Sequence, residues 1–295
     1  MRRAPARLAE IVVTAAAFTA GCSFPGSGGQ GQVPLDPRPL SAALVTSVAD
    51  TARLREHEES AVADCMARRG FRYEPERTTV SERAVTTNPY GLLRKDQARQ
   101  DGYGVVGEIL GGTRDLAPPA VHHSTGWTKA LQGTHVERFT LSTGVVLTYR
   151  PDGCAYQGRE AAYGPGFNRL ESELEGLQAA VMDQVEGDGR YIDALAEWSS
   201  CMRKSGYVYD DLQAPRKELA RDVESTDGSD GALRSLGRKE LRIASDDYDC
   251  ERKVRLHETV YEAQRDAERS TLNDATRDDL RRYRTLKRKA LRSPN

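Results

Sequence analysis

Apolar residues recur at helical spacing over residues 40–69, including Leu44, Val48, Ala52, Leu54 and Val62. A short helix is expected from Leu92 to Gln100, and residues 111–125, with Gly, Pro and two histidines, read as a loop. Between Val136 and Tyr149 the pattern changes to alternation of β-branched and polar residues around Ser142-Thr143-Gly144, which predicts a hairpin. Helical spacing returns at 153–162, 167–185 and 189–204, and the polar stretch Arg221–Gly231 reads as a loop. From about 236 to 291 one long helical pattern runs with no proline until Pro294. Leu280, Tyr283 and Leu286 share one face of it, and charge covers the rest. The expected fold is mainly α, with long helices and one small β-hairpin at about 136–149.

Two segments align. VADCMARRGFRYEP matches WSSCMRKSGYVYDD through Val62/Trp198, Cys65/Cys201, Met66/Met202, Gly70/Gly206, Phe71/Tyr207 and Tyr73/Tyr209. The first three positions are spaced i, i+3 and i+4, so they share one helix face. The glycine follows where a helix ends with positive φ. Each copy therefore reads as a helix with a buried cysteine, a glycine stop and an aromatic latch. Duplication of one unit is the reading that follows.

The first residues carry an address rather than a fold. Arg2, Arg3 and Arg7 precede an apolar run from Ile11 to Ala20. Such a run is too short for a bilayer span of roughly 20 residues and suits a signal peptide. Thr19-Ala20-Gly21-Cys22 resembles the bacterial lipobox, with Thr19 where that pattern prefers Leu or Val. The resemblance implies cleavage before Cys22 and a diacylglycerol on its thiol. An ordinary secretory signal is the alternative. Residues Ser23–Arg38 are rich in Gly, Pro and small polar residues and read as a flexible tether. The expected organisation is a signal peptide at 1–21, a tether at 22–38, and two Cys-Met repeat units at 39–166 and 167–295. The second ends in a long basic helix.

Composition sharpens this picture in two ways. A net charge of −1 gives no global call for nucleic acid. Hydrophobic residues at 38% and aromatic residues at 6% make a thin core, for which crosslinks would compensate. Besides Cys22 the chain holds Cys65, Cys154, Cys201 and Cys250. Four cysteines allow three pairings, which sequence alone does not fix. If the repeats are separate units, Cys65 pairs with Cys154 and Cys201 with Cys250, and this is the pairing expected. No CxxC spacing points to zinc.

Candidate chemistry is sparse. His122 and His123 lie beside Trp127, but two histidines without a nearby acid or cysteine read as surface residues. His57 and His257 have no H-x-x-x-H partner and read the same way. Asp246, Asp247 and Asp249 cluster before Cys250 without EF-hand spacing, so structural roles are expected. No nucleophile motif occurs, and no cofactor is expected. Arg281, Arg282, Arg284, Lys287, Arg288 and Lys289 form a basic helix end that suits an anionic surface, or complements the helix dipole.

Further residues carry a resemblance: Tyr90-Gly91, Ala98, Gly102-Tyr103-Gly104, Ala130-Leu131-Gln132-Gly133, Gly153-Cys154 with Tyr163-Gly164, and Ala244 with Asp246 or Asp247 before Cys250. With the Cys-Met stops, the chain resembles a group of secreted and lipid-anchored actinobacterial proteins over roughly residues 45–285. The resemblance implies an extracytoplasmic address and disulfides, and no activity. The function expected is a cell-envelope lipoprotein that binds a membrane through its lipid, and an envelope protein or cell-wall polymer through its body. An envelope enzyme, or an accessory or sensor subunit of a membrane system, is the alternative.

Overall fold

The computed structural model describes residues 36–76, 87–110 and 123–292. The described residues all fall in one compact unit that extends from Val33 to Asn295. Cys22, most of the tether and His122 lie outside the described residues. None of the described helices is long and apolar enough to cross a membrane.

The chain enters through a 3-10 turn at Pro39–Ala42 and continues into α1 (Val48–Arg68), which starts where the Ser47 side chain accepts a hydrogen bond from the Asp50 amide. Two short helices follow, α2 (Lys95–Gln100) and α3 (Val105–Leu110), then α4 (Thr125–Gln132). The predicted hairpin is β1 (Glu137–Thr140) paired antiparallel with β2 (Val146–Tyr149), Glu137 opposite Tyr149. The rest is helical: α5 (Cys154–Tyr163), α6 (Phe167–Glu186), α7 (Gly189–Lys204), α8 (Ala214–Ser225), α9 (Asp230–Lys253), α10 (Leu256–Thr271) and α11 (Asp274–Ala290).

Helix α6 is the spine. Phe167, Leu170, Leu174, Leu177, Val181 and Val185 recur at helical spacing and are all buried. This stripe packs against α10 and α11. The main core runs from Leu40 to Ala290 and takes side chains from both halves of the chain, Trp198, Leu256 and Tyr283 among them. A smaller cluster gathers Val62, Cys65, Met66, Ala130 and Cys154 where α1, α4 and α5 meet. There α5 approaches α1 so closely that a Cβ on Gly158 would lie 2.5 Å from Val62.

Both repeats end their helices identically. In α1 the Phe71 amide donates to the Met66 carbonyl (3.0 Å) and the Gly70 amide to Ala67 (2.9 Å). After α7 the Tyr207 amide donates to Met202 (3.0 Å) and Gly206 to Arg203 (3.1 Å). This is the Schellman pattern, with Gly70 at φ +79° and Gly206 at φ +94°. The disulfides are Cys65–Cys154 and Cys201–Cys250, the expected pairing. They close separations of 89 and 49 residues. In the chain-entropy model such loops contribute about 4–5 kcal/mol each, a large share of a typical total of about 5–15 kcal/mol.

Two expectations need correction. The single helical pattern over 236–291 belongs to α9, α10 and α11. It breaks at Arg255, which takes a left-handed φ of 56°, and at Asn273, whose side chain and Thr276 form a reciprocal capping box. The polar stretch Arg221–Gly231 is mostly helix: α8 covers it as far as Ser225, and Ser229 caps α9, so the true loop is short. Polarity there marks solvated helix faces.

Two measurements check this fold. Peptide mapping without reduction should recover Cys65 linked to Cys154 and Cys201 linked to Cys250; a Cys65–Cys201 link would contradict this fold. Gly206→Ala should cost about 1–2 kcal/mol in urea denaturation, because a Cβ there meets nothing within 4 Å and the cost is the backbone's alone.

Candidate functional site

Helices α10 and α11 follow one another across the Asn273 break and both pack on α6, and side chains from the two line a surface groove of about 320 Å³. Arg265 and Arg269 reach it from α10, and Arg277, Arg281 and Arg284 from α11. Spacings of four on α10, and of four and three on α11, put each set on one helix face. The third wall is Leu40 and Ser41 of the entry turn.

Glu268 is the one acid lining the groove. Its Oε1 accepts from the Leu40 amide (2.7 Å) and from the Gln264 side chain (3.1 Å), so it is committed to holding the entry turn. Burial pushes its carboxyl above the usual range, against the pull of the Leu40 amide. Three arginines have acids outside the lining: Arg269 pairs with Asp266 (2.5 Å), Arg277 with Asp274 (3.5 Å) and Arg281 with Asp278. All three pairs are exposed, a class worth about 0–1 kcal/mol each. Arg284 donates to the Ser41 carbonyl (3.1 Å). The groove is thus a cationic, guanidinium-lined surface whose chemistry suits phosphate or carboxylate oxygens.

The basic helix end divides on folding. Arg281 and Arg284 line the groove, and Arg288 continues their face, its Nε on the Arg284 carbonyl at 3.3 Å. Arg282 points instead to the Pro165 carbonyl (3.4 Å). Lys287 turns inward, its Nζ donating to Thr46 (2.8 Å) and lying 5.1 Å from the Tyr283 ring centre. Burial lowers its pKa. Lys289 is exposed. Arg265, Arg269 and Arg277 were missed in the sequence because each sits beside acids. The signal that finds them is the spacing of like charges along a helix face.

The aspartate cluster also divides. Asp249 is exposed, and Asp246 is half-buried and hydrogen-bonds Tyr207. Asp247 is fully buried, accepting from Trp198 Nε1 and the Tyr103 hydroxyl, both at 2.6 Å. One turn on, the fully buried Glu251 accepts from the Leu93 amide (3.1 Å) and meets His257 Nε2 (2.6 Å). His257 is therefore not a surface residue as its sequence context suggested: the Arg255 turn carries it inward at 1% exposure. Upstream, Glu240 accepts from the Val105 and Val106 amides. His57 is half-buried, and His123 stacks on Trp127 at 3.5 Å. Among the described residues no group of three His, Cys, Asp or Glu could hold a metal.

No family model, curated protein or solved structure matches this chain.

Burial raises the carboxyl pKa of Glu240, Asp247 and Glu251, and Glu251 raises Asp247 further by its own charge. The unfolded chain ionises such groups near pH 4. Between that pH and the raised folded values the native state holds more protons, so these groups make stability fall as pH rises. The urea midpoint should therefore be lower at pH 8 than at pH 5, and Asp247→Asn should narrow the gap. A gap that Asp247→Asn leaves unchanged contradicts this assignment.

Proposed function

We propose that this protein is an exported envelope lipoprotein, held at the outer face of a membrane through Cys22, whose helical body is a binding module. One observation carries the reading. Four of the five cysteines are joined in two disulfides, and Cys22 is the one remaining. Disulfides of this structural kind form and persist in oxidising compartments. A thiol left out of the pairing, preceded by small residues and an apolar run, is the chemistry a lipid anchor requires. A diacylated residue gives stable anchoring where a single acyl chain is marginal.

The test is a change of address. Cys22→Ser should move the protein from the membrane fraction to the medium, with both disulfides intact. The mature wild-type N-terminal peptide should carry the mass of a diacylglyceryl cysteine. Continued membrane retention of the variant, or an unmodified Cys22, refutes the anchor.

A further inference from the structure

We infer that the groove between α10 and α11 seats the phosphate headgroups of anionic lipids in the membrane that carries the anchor, pressing the body onto that surface. The inference rests on the lipid-anchor reading and specifies what its body binds.

Three observations combine. The first is chemistry: five arginines from two helices converge on one groove whose single lining acid is Glu268. Guanidinium forks match phosphate oxygens bidentately, and they are more weakly hydrated than ammonium groups, so they give up water at an interface more readily.

The second is availability. Arg265 and the exposed pairs Arg269–Asp266, Arg277–Asp274 and Arg281–Asp278 lie in solvent. Exposed pairs of this kind hold weakly, so a guanidinium can exchange its carboxylate for a phosphate at little cost. Near an anionic leaflet each added basic side chain strengthens binding about fivefold, more than most such pairs give up.

The third is position, and it selects the membrane among anionic partners. Leu40 and Ser41 form one wall of the groove, a few residues past Asp36 and Pro37, where the chain arriving from Cys22 meets the body through the Asn88 side chain. The segment Cys22–Asp36 can reach at most about 50 Å. The anchor therefore keeps the rim of this groove within reach of the bilayer surface. Attachment through Cys22 then makes headgroup binding an intramolecular event, in which weak contacts suffice.

The experiment separates the groove from the anchor. The Cys22→Ser chain, which has no lipid, is sedimented with vesicles containing phosphatidylglycerol and with vesicles of phosphatidylcholine alone. It should bind the anionic vesicles at least about tenfold more tightly. Binding should weaken as salt shortens the screening length from about 10 Å at 0.1 M to about 3 Å at 1 M. Arg265→Glu with Arg281→Glu should lower anionic binding at least tenfold. Arg234→Glu with Arg238→Glu, on α9, should leave it unchanged. Thermal melts check folding, and Arg265→Gln with Arg281→Gln replaces the first pair if charge reversal unfolds the chain.

Equal binding to both vesicle types, or equal loss in the two variant pairs, overturns the inference. Displacement by inorganic phosphate at the same phosphate concentration assigns the groove to free phosphate and overturns it too, as does displacement by soluble polyglycerol phosphate, which assigns it to a wall polymer. Each of these results leaves the Cys22 release test standing, and failure of that test leaves the vesicle result standing.

Discussion

Carboxylates carried on helices hold the irregular segments of this protein, and much of the fold depends on that arrangement. Glu59 of α1 accepts from the Tyr73 hydroxyl and the Glu76 amide. Glu173 of α6 accepts from the Ser142 amide at the hairpin tip. Three acids of α9 take the segment between residues 93 and 106: Glu251 the Leu93 amide, Asp247 the Tyr103 hydroxyl, Glu240 the amides that begin α3. Glu268 of α10 takes Leu40. A loop amide removed from water must find an acceptor, and a charged or charge-prone carboxylate is a stronger one than a carbonyl. A chain with few large apolar residues thus orders its connections by hydrogen bonding to helix faces. The cost falls on the acids, whose buried members are pushed toward their neutral forms.

The disulfides serve the same lean economy in a different way. The two helix stops are superimposable in their hydrogen bonds, yet their cysteines find partners differently. Cys154 opens α5, whereas Cys250 lies in the last turn of α9. The partner helices therefore meet their repeats from opposite ends. The helix stops match, and the helices around them do not. Cys65 and Cys154 sit inside the smaller cluster, while Cys250 belongs to the main core and Cys201 packs at its edge.

Local signals were legible in the sequence, and long-range ones only where they had a local trace. The hairpin, the spans of α5, α6 and α7 and both glycine stops could be read because each depends on residues within a few positions. The break at Asn273 had a local sign as well, since Asn273 and Thr276 have capping-box spacing, but apolar periodicity ran across it. The break at Arg255 had none, since arginine has no special tolerance for positive φ. His257 was misread for the same reason. Its neighbours Lys253, Arg255 and Glu258 are charged, and its burial follows from a turn that its own segment does not announce. Of the groove, Arg281 and Arg284 were legible because no acid interrupts them. Arg265, Arg269 and Arg277 were hidden among aspartates, and only the fold shows those acids lying outside the groove lining.

The entry turn joins these threads. Leu40, Ser41 and Ala42 all take positive φ, between 52° and 56°. That conformation costs roughly 1–2 kcal/mol for each residue with a Cβ, so something must hold it. Leu40 is buried at 1% exposure, its amide is bonded to Glu268, and Arg284 donates to the Ser41 carbonyl. Glu268 and Arg284 are both groove residues. The contacts that force the chain into this strained turn are thus the same ones that build the groove wall. Glu268, by taking the Leu40 amide, holds this turn and is itself withdrawn from competition for the groove's arginines.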